Sequence, residues 1–470
     1  MNSSKIKTAI FWTSSEAILN IILSMASLIF IAHILNPKEY GYIATAQFIS
    51  LTIQLFLNLG LSEAIIQKKD LSDIDISSAC LGTIVLSIIG CIICLFISNF
   101  YYYDNLIVKK ILIIEIVNIV IATLLIVPTA LLIKNLRMKS FTKKTLLSRV
   151  VFIASAYYFI KTGYGFWSVV YATLLQNITS FFLIIWDVKK IIKIKKFDKN
   201  SFANLFKFGF FIMLDNLLWN VLNKVFGILI SIFHGPAALG IYSMATKLTD
   251  SIIGVLNTVI TKISLPIFSS VQDDREKLLE YFQKITFSFN IISMTLFSCF
   301  ALTASEWIPL LLGEKWLVMR EPIQIISIMI AIMFSRRFSG IVVNALGKSK
   351  EYLYLSLTAA IISLFAVLLT REYNLETTLL ALAIPRIIIT IPLGIYLLYK
   401  IAGFSISEQI KPLKYPIIVA ILLVMVMYFF QKIFVFNSVL SGFLAQLFVG
   451  VVVYFIFIYI LYKYKKMNFR

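Results

Sequence analysis

The sequence predicts an all-α polytopic membrane protein of about fourteen transmembrane helices, and three observations predict it. Apolar residues make up 60% of the 470 positions, which at roughly 20 per bilayer crossing is material for about fourteen spans. Charged residues are only 14% and mean hydropathy is +0.92, where soluble domains carry about a quarter of charged residues. The basic residues, finally, fall mainly into alternate loops, as membrane topology requires.

Runs long enough to cross a hydrocarbon core lie near 10–35, 41–66, 79–98, 111–133, 146–160, 166–186 and 208–233. A second series lies near 239–265, 285–304, 322–346, 352–370, 377–399, 413–430 and 439–462. The first follows a short basic segment, Met1 to Lys7, and has no small-residue cleavage site, so it is expected to be retained. The fifth is short and requires Arg149 to snorkel toward the cytoplasm. With the N-terminus inside, inner segments hold 29 of the 43 Lys and Arg and outer loops eight, so both termini are expected in the cytoplasm. The net charge of +20 is thus topological, and nucleic acid is not expected as a partner.

Six cations then remain within spans: Lys224, Lys247, Lys262, Arg336, Arg337 and Arg386. Each costs about 2.5–3.5 kcal/mol in lipid, so they are expected to face a wet or protein-lined interior. Several cations without matching carboxylates are compensated best by an anionic ligand such as phosphate, which Arg forks bidentately. These six are candidate substrate contacts. Asn58, Asn257 and Asn344 join them on the polar faces of their helices. Such faces include Thr13, Glu16, Asn20, Ser24 and Ser27 on the first span and Gln47, Ser50, Gln54 and Asn58 on the second. A single Ser, Thr or Asn more often glues helices together than binds a ligand. Glu16, Glu115 and Asp215 are candidate ion-coupling carboxylates, since a buried carboxyl can exchange protons. H+ or Na+ is the coupling ion expected, and no cofactor is.

The chain also matches itself at a shift of 199 residues, which aligns Glu16 with Asp215, Pro37 with Pro236, Gly41 with Gly240, Ala46 with Ala245 and Asn58 with Asn257. Spans one and seven run in the same direction, so the repeats are parallel. The basic stretch Lys189 to Lys196 separates the halves. The organisation expected is a six-helix bundle at 1–200, a second at 201–402 and two additional helices at 403–470, with a substrate cavity between the bundles.

Catalytic signals are lacking. No cytoplasmic loop could hold a nucleotide domain, and neither a G-x-x-x-x-G-K-[ST] loop nor a metal-spaced His/Cys cluster is present. Cys91 and Cys94 have C-x-x-C spacing but lie inside an apolar run and are expected to pack. His33 and His234 lie near outer span ends and are not assigned to the site.

Leu35-Asn-Pro37-Lys-Glu-Tyr-Gly41, Gly60-Leu-Ser-Glu-Ala-Ile-Ile-Gln-Lys-Lys69, Ala238-Leu-Gly240-Ile-Tyr242, Pro266 followed by Val271-Gln-Asp-Asp274, Leu312-Gly-Glu-Lys-Trp316 and Ala345-Leu-Gly347 together resemble the polysaccharide biosynthesis proteins that flip lipid-linked oligosaccharides. The likeness is nearest to the O-antigen, teichuronic-acid and colanic-acid type and runs from about residue 5 to 430. It implies the multidrug/oligosaccharidyl-lipid/polysaccharide exporter superfamily, a MATE-like fold, the bacterial plasma membrane and an undecaprenyl-pyrophosphate-linked glycan as substrate. Membrane lipids, a polysaccharide polymerase and chain-length machinery are the other partners it implies. Lys262 stands where these proteins have a basic residue; Met244 and His33 stand where they often have Arg. A flippase that is not an enzyme is the reading expected. A cation-coupled drug exporter is the alternative, disfavoured by cations within spans. A polyprenyl-dependent glycosyltransferase or polymerase is disfavoured because no outer loop is large.

Overall fold

The computed structural model describes residue 19 and residues 21–465, apart from 69, 101, 103, 104, 136, 190, 193, 435 and 437. Side chains in several helical stretches, chiefly 208–223 and most of 258–266 apart from Ile260 and Ser264, lie outside that description. Among the described residues the protein is helical throughout, without a strand. The helices are α1 (Ile21–Ile34), α2 (Pro37–Asn58), α3 (Leu61–Gln67), α4 (Asp73–Phe100), α5 (Leu106–Leu124), α6 (Ile126–Lys134), α7 (Met138–Lys161), α8 (Trp167–Val188) and α9 (Lys199–Ser270). They continue as α10 (Arg275–Leu302), α11 (Ala304–Leu311), α12 (Arg320–Phe334), α13 (Arg337–Ala345), α14 (Ser349–Leu369), α15 (Leu375–Ala402), α16 (Ile406–Ile410), α17 (Lys414–Ile433) and α18 (Val439–Lys465).

Among the described residues, eleven helical runs, some joining neighbouring helices, are long and apolar enough to cross a membrane. The protein is a multi-pass membrane protein. The count differs from fourteen at three places. The first span is represented by α1 alone, 21–34, among the described residues. α7 carries Lys139, Lys143, Lys144 and Arg149, so its hydropathy is low. Spans seven and eight form one continuous helical run, α9, broken only at Gly235.

That break has a local cause. Gly235 has φ +81° and ψ 176°, a region open essentially to Gly alone, and Pro236 follows with no N–H to continue the helical ladder. The first half solves the same corner with an N-cap. The Asn36 side chain accepts from Glu39 N at 2.9 Å, Glu39 Oε2 accepts from Asn36 N at 2.9 Å, and Pro37 occupies the first turn. α10 begins likewise on Asp274, whose carboxyl is held below the usual carboxylate range by Lys277.

Two compact units divide the chain, 1–243 and 244–470. Within the first, the duplicated Pro-x-x-x-Gly elements meet. A methyl group placed on Gly41 would sit 1.6 Å from the carbonyl oxygen of Pro236, and one on Gly240 would sit 1.9 Å from that of Pro37. The contact is reciprocal and backbone to backbone. It continues along α2 and α9, where Thr45 and Ser231 hydroxyls are 3.0 Å apart and a methyl on Gly227 would sit 2.9 Å from the Phe48 ring.

Polar ties close one end of this unit. Asp75, 5% exposed, accepts from Lys68 Nζ at 2.6 Å, from Ser72 N at 3.0 Å and from the Ser201 hydroxyl. Lys195 N and Asp198 N donate to Ser77 and Ser78 at 2.7 and 2.9 Å, so the basic linker lies along the start of α4. Lys134 Nζ caps the last carbonyls of α3, reaching Ile65 O at 3.0 Å and Ile66 O at 3.3 Å. On the outside, α4 exposes Ile84, Val85, Ile88, Ile92 and Phe96, a stripe suited to lipid.

The 244–470 unit packs Phe268, Phe282, Phe334, Phe338, Leu398 and Phe404 into one core. The 403–413 linker before α17 is fastened to α10. Arg275 Nη2 donates to Gly403 O at 2.7 Å and Glu408 Oε2 at 3.0 Å, and Gln283 Nε2 donates to Glu408 O at 3.0 Å.

Gly41→Ala and Gly240→Ala are each expected to destabilise the detergent-purified protein by about 1–3 kcal/mol or more. The double variant should lose less than the sum, because both residues share one contact. Gly254→Ala, with nothing within 4 Å of its added methyl, should be neutral or gain up to about 1 kcal/mol. Thermal unfolding of the three variants checks this. Asp75→Ala, which strands Lys68, Ser72 N and Ser201, should cost about 1–3 kcal/mol in the same assay.

Candidate functional site

The first polar cluster is built from α2, α5 and α8, which pack together through α5. Glu115 on α5 is 6% exposed. Ser50 of α2 and Asn118, one turn further along α5, hydrogen-bond to its carboxyl. Gln54 Nε2 donates to Ser50 Oγ at 3.0 Å, which leaves the Ser50 hydroxyl proton to point at Glu115. Asn177 Nδ2 of α8 donates to Asn118 Oδ1 at 3.0 Å, which turns the Asn118 amide N–H toward Glu115 in the same way. Among the described residues no Lys or Arg pairs with this carboxyl. Cys94 of α4 is its titratable neighbour, and that thiol donates to Leu112 O at 3.6 Å.

The second cluster lies where α12 gives way to α13. Arg336 is the N-cap residue of α13 and is 4% exposed. Its Nη2 donates to Gln409 Oε1 at 3.3 Å. Gln409, on α16 and fully buried, donates in turn to Ile395 O at 3.1 Å and Phe404 O at 2.8 Å. Arg336 Nε has no hydrogen-bond partner, and neither has the Ser339 hydroxyl, 2% exposed. Arg337 is exposed, and the Tyr352 phenol of α14 feels both guanidinium charges. Among the described residues no carboxylate pairs with either arginine.

The other expected site residues are placed as follows. Lys224, Arg386 and Asn257 are half-buried; Lys247 and Asn344 are exposed. Asn58 is half-buried at the end of α2, just before Leu59 with φ +50° and Gly60 with φ +69°, and its Oδ1 is enclosed without a partner. The side chains of Lys262 and Asp215 lie outside the description, and Glu16 lies outside the described residues. Among the six cations, Arg336 and Arg337 both lie near the Tyr352 phenol. Gln409, Ser339, Tyr352, Asn118 and Asn177 were not legible as partners. Asn118, three residues beyond Glu115 on one helical face, carried the clearest signal.

In the second unit α10, α11 and α18 also line an open apolar pocket of about 590 Å³, with Cys299, Phe300, Trp307, Phe443 and Tyr454 among its walls. Its lining suits a hydrocarbon chain. No group of three or more His, Cys, Asp or Glu side chains gathers among the described residues.

The sequence profile of the polysaccharide biosynthesis proteins matches residues 30–321. The chain belongs to that family. Within the curated relatives, this polysaccharide biosynthesis protein is 22% identical over 358 residues to the teichuronic acid biosynthesis protein TuaB of Bacillus subtilis, covering 73% of this chain and 72% of TuaB. It is 20% identical over 312 residues to the lipopolysaccharide biosynthesis protein WzxC of Escherichia coli, covering 65% of this chain and 63% of WzxC. Its fold is similar to that of the lipid II flippase MurJ, solved in an inward closed conformation, with TM-score 0.72, 16% identity and 97% and 99% of the two chains covered. An inward-facing multidrug transporter of the MATE family, in the MOP superfamily, aligns with TM-score 0.62 at 14% identity over 82% of this chain and 95% of the transporter.

Glu115→Gln keeps the shape and accepts from the same donors, and is expected to leave thermal stability within about 1 kcal/mol of the parent. Glu115→Ala leaves Ser50 and Asn118 unpaired and should cost about 1–3 kcal/mol. Chemical denaturation of both variants in detergent checks the difference.

Proposed function

We propose that this protein is a flippase that moves an undecaprenyl-pyrophosphate-linked oligosaccharide repeat unit from the cytoplasmic to the outer leaflet of the bacterial plasma membrane. The product feeds assembly of a cell-surface polysaccharide. The observation that carries the reading is the family match across residues 30–321 on a bundle whose duplicated elements meet at Gly41 and Gly240. TuaB and WzxC, both named for surface-polysaccharide biosynthesis, favour a glycan over a drug as cargo. Cations within spans favour an anionic passenger. Both termini are cytoplasmic, in keeping with the Lys and Arg bias of the loops.

In this reading Lys224, Lys247, Lys262, Arg336, Arg337 and Arg386 contact the pyrophosphate and acidic sugars, with Asn58, Asn257 and Asn344 as neutral partners. Glu115 takes up and releases the coupling proton, with Glu16 and Asp215 as further carriers. The protein performs no covalent chemistry, and a polymerase with its chain-length partner receives the product.

The test is a deletion strain assayed for surface glycan and for lipid-linked intermediates. Loss of surface glycan with the intermediate accumulating in the inner leaflet is expected, restored by the parent gene. Unchanged glycan display, or a changed resistance to cationic drugs without a glycan defect, would overturn the flippase reading. Glu115→Gln in the complemented strain should lower glycan display at least tenfold while protein levels hold.

A further inference from the structure

We infer that the end of the 1–243 unit where α7 begins and α8 gives way to the basic linker is a docking surface for the headgroups of anionic phospholipids, centred on Trp186, Lys189, Lys196 and Lys199. The inference is separate from the flippase reading and uses none of the residues assigned to the cargo.

The argument begins with where the linker side chains go. The backbone is already bonded: Lys195 N donates to Ser77 Oγ at 2.7 Å and Asp198 N to Ser78 Oγ at 2.9 Å, which lays the segment against the start of α4. Ile191 and Ile192 pack against the buried cluster around Leu61 and Leu131. Lys189, Lys195, Lys196 and Lys199 are left exposed. Acidic neighbours answer few of the cations at this end. Asp73 takes Lys195 at 2.9 Å, Asp187 takes Lys144 at 2.7 Å and Asp75 takes Lys68 at 2.6 Å, while Asp198 accepts from Asn200 N at 2.9 Å. Among the described residues, Lys143, Lys189, Lys196 and Lys199 make no ion pair. The first turns of α7 belong to the same surface, because Asp187 of α8 also accepts from the Ser140 hydroxyl and lies within the field of Arg137.

Membrane topology accounts for the sign of such a loop. It does not account for the company the lysines keep, since a loop held in water shows its cations among polar neighbours. Phe182 and Trp186, one turn apart on α8, are 65% and 71% exposed, and Ile194 and Phe197 in the linker are 63% and 50% exposed. Lys189 Nζ stands 3.4 Å from the centre of the Trp186 ring, so a cation and a ring of the kind that settles at headgroup depth form one unit. A surface that interleaves uncovered rings with uncompensated ammonium groups is matched by a layer carrying both counterparts, acyl carbons for the rings and phosphates for the lysines. A soluble acidic partner would answer the charge and leave the rings in water. The bonded linker backbone also means that only side chains are ordered on binding, which lowers its entropic cost.

The test uses the full-length protein in a non-ionic detergent, titrated with phosphatidylglycerol or with phosphatidylcholine and followed by thermal unfolding. Phosphatidylglycerol is expected to raise the midpoint by roughly 2–4 °C more than phosphatidylcholine at saturation, and added salt should shrink that difference. The triple variant Lys189→Gln, Lys196→Gln, Lys199→Gln should keep a lipid-free midpoint within about 1 °C of the parent, because the side chains are exposed and unpaired. Its apparent affinity for phosphatidylglycerol should fall roughly fivefold per lysine, about a hundredfold in all. Trp186→Ala should weaken binding several-fold by a route that leaves every charge in place. The triple variant Lys400→Gln, Lys411→Gln, Lys414→Gln, which removes exposed cations of the other unit, should bind as the parent does.

Equal rises with the two lipids, an unchanged rise in the first triple variant, or an equal loss in the second would overturn the site and leave these lysines as a topological signal alone. A rise with polyglutamate larger than that with phosphatidylglycerol would assign the surface to an acidic protein and overturn the phospholipid.

Discussion

A charge removed from water inside a helical bundle must meet an opposite charge, gather hydrogen bonds or surrender its proton, and the polar interior of this protein is organised by that constraint. Where a countercharge is at hand the solution is a tie: Lys68 on Asp75, Lys144 on Asp187 and Arg275 on Glu408. All three ties sit at or beside helix ends, where water contributes to the solvation. Deeper in, Glu115 and Arg336 lack such partners, and the chemistry open to them differs. Glu115 takes neutral donors from Ser50 of α2 and Asn118 of its own helix, which Gln54 and Asn177 orient. Arg336 collects one neutral acceptor and cannot give up its proton.

Helix breaks set where these groups stand. α12 stops at Phe334 and α13 restarts at Arg337, and Arg336 stands at the tightened turn between them, buried and bonded to Gln409. Between α2 and α3 the break runs through Leu59, a non-Gly residue at φ +50°, and Gly60. Asn58 and Glu63, on either side, each keep an enclosed oxygen without a donor. The break at Gly235 is of another kind, since it turns the chain at the contact between duplicated elements.

Much of this was legible in the sequence, and what was not has physical reasons. Composition and run length are one-dimensional properties, so helical class and the multi-pass character could be read directly. The pairing of Pro37 with Pro236 and Gly41 with Gly240 showed a duplication, yet only coordinates reveal that the two elements touch, because periodicity carries no distance. Ser50 and Gln54 read as a polar stripe, and the stripe proves to be wired to Glu115 from another helix. Arg149, read from the sequence as a residue that must snorkel, donates from Nη1 to Ser24 Oγ at 2.8 Å, a partner on another helix that the sequence did not show. Gln409 was hidden for a different reason. It sits in a short linker, and its burial depends on α16 folding back against α15, held by the Ser405–Glu408 capping box and by Arg275.

The identity of residue 409 decides what Arg336 can do. A Glu in that position would form a charge-assisted pair, cancel the guanidinium and leave nothing for a ligand to compensate. An apolar residue would leave the group unoriented. A glutamine tethered by Ile395 O and Phe404 O presents one oxygen at 3.3 Å, enough to fix the direction of the fork and too little to satisfy its charge. Because Gln409 belongs to the linker that leads into α17, the group that orients Arg336 lies in the same segment that Arg275 and Gln283 fasten to α10. The direction of the guanidinium at the start of α13 therefore depends on the linker that carries the two C-terminal helices, through one amide.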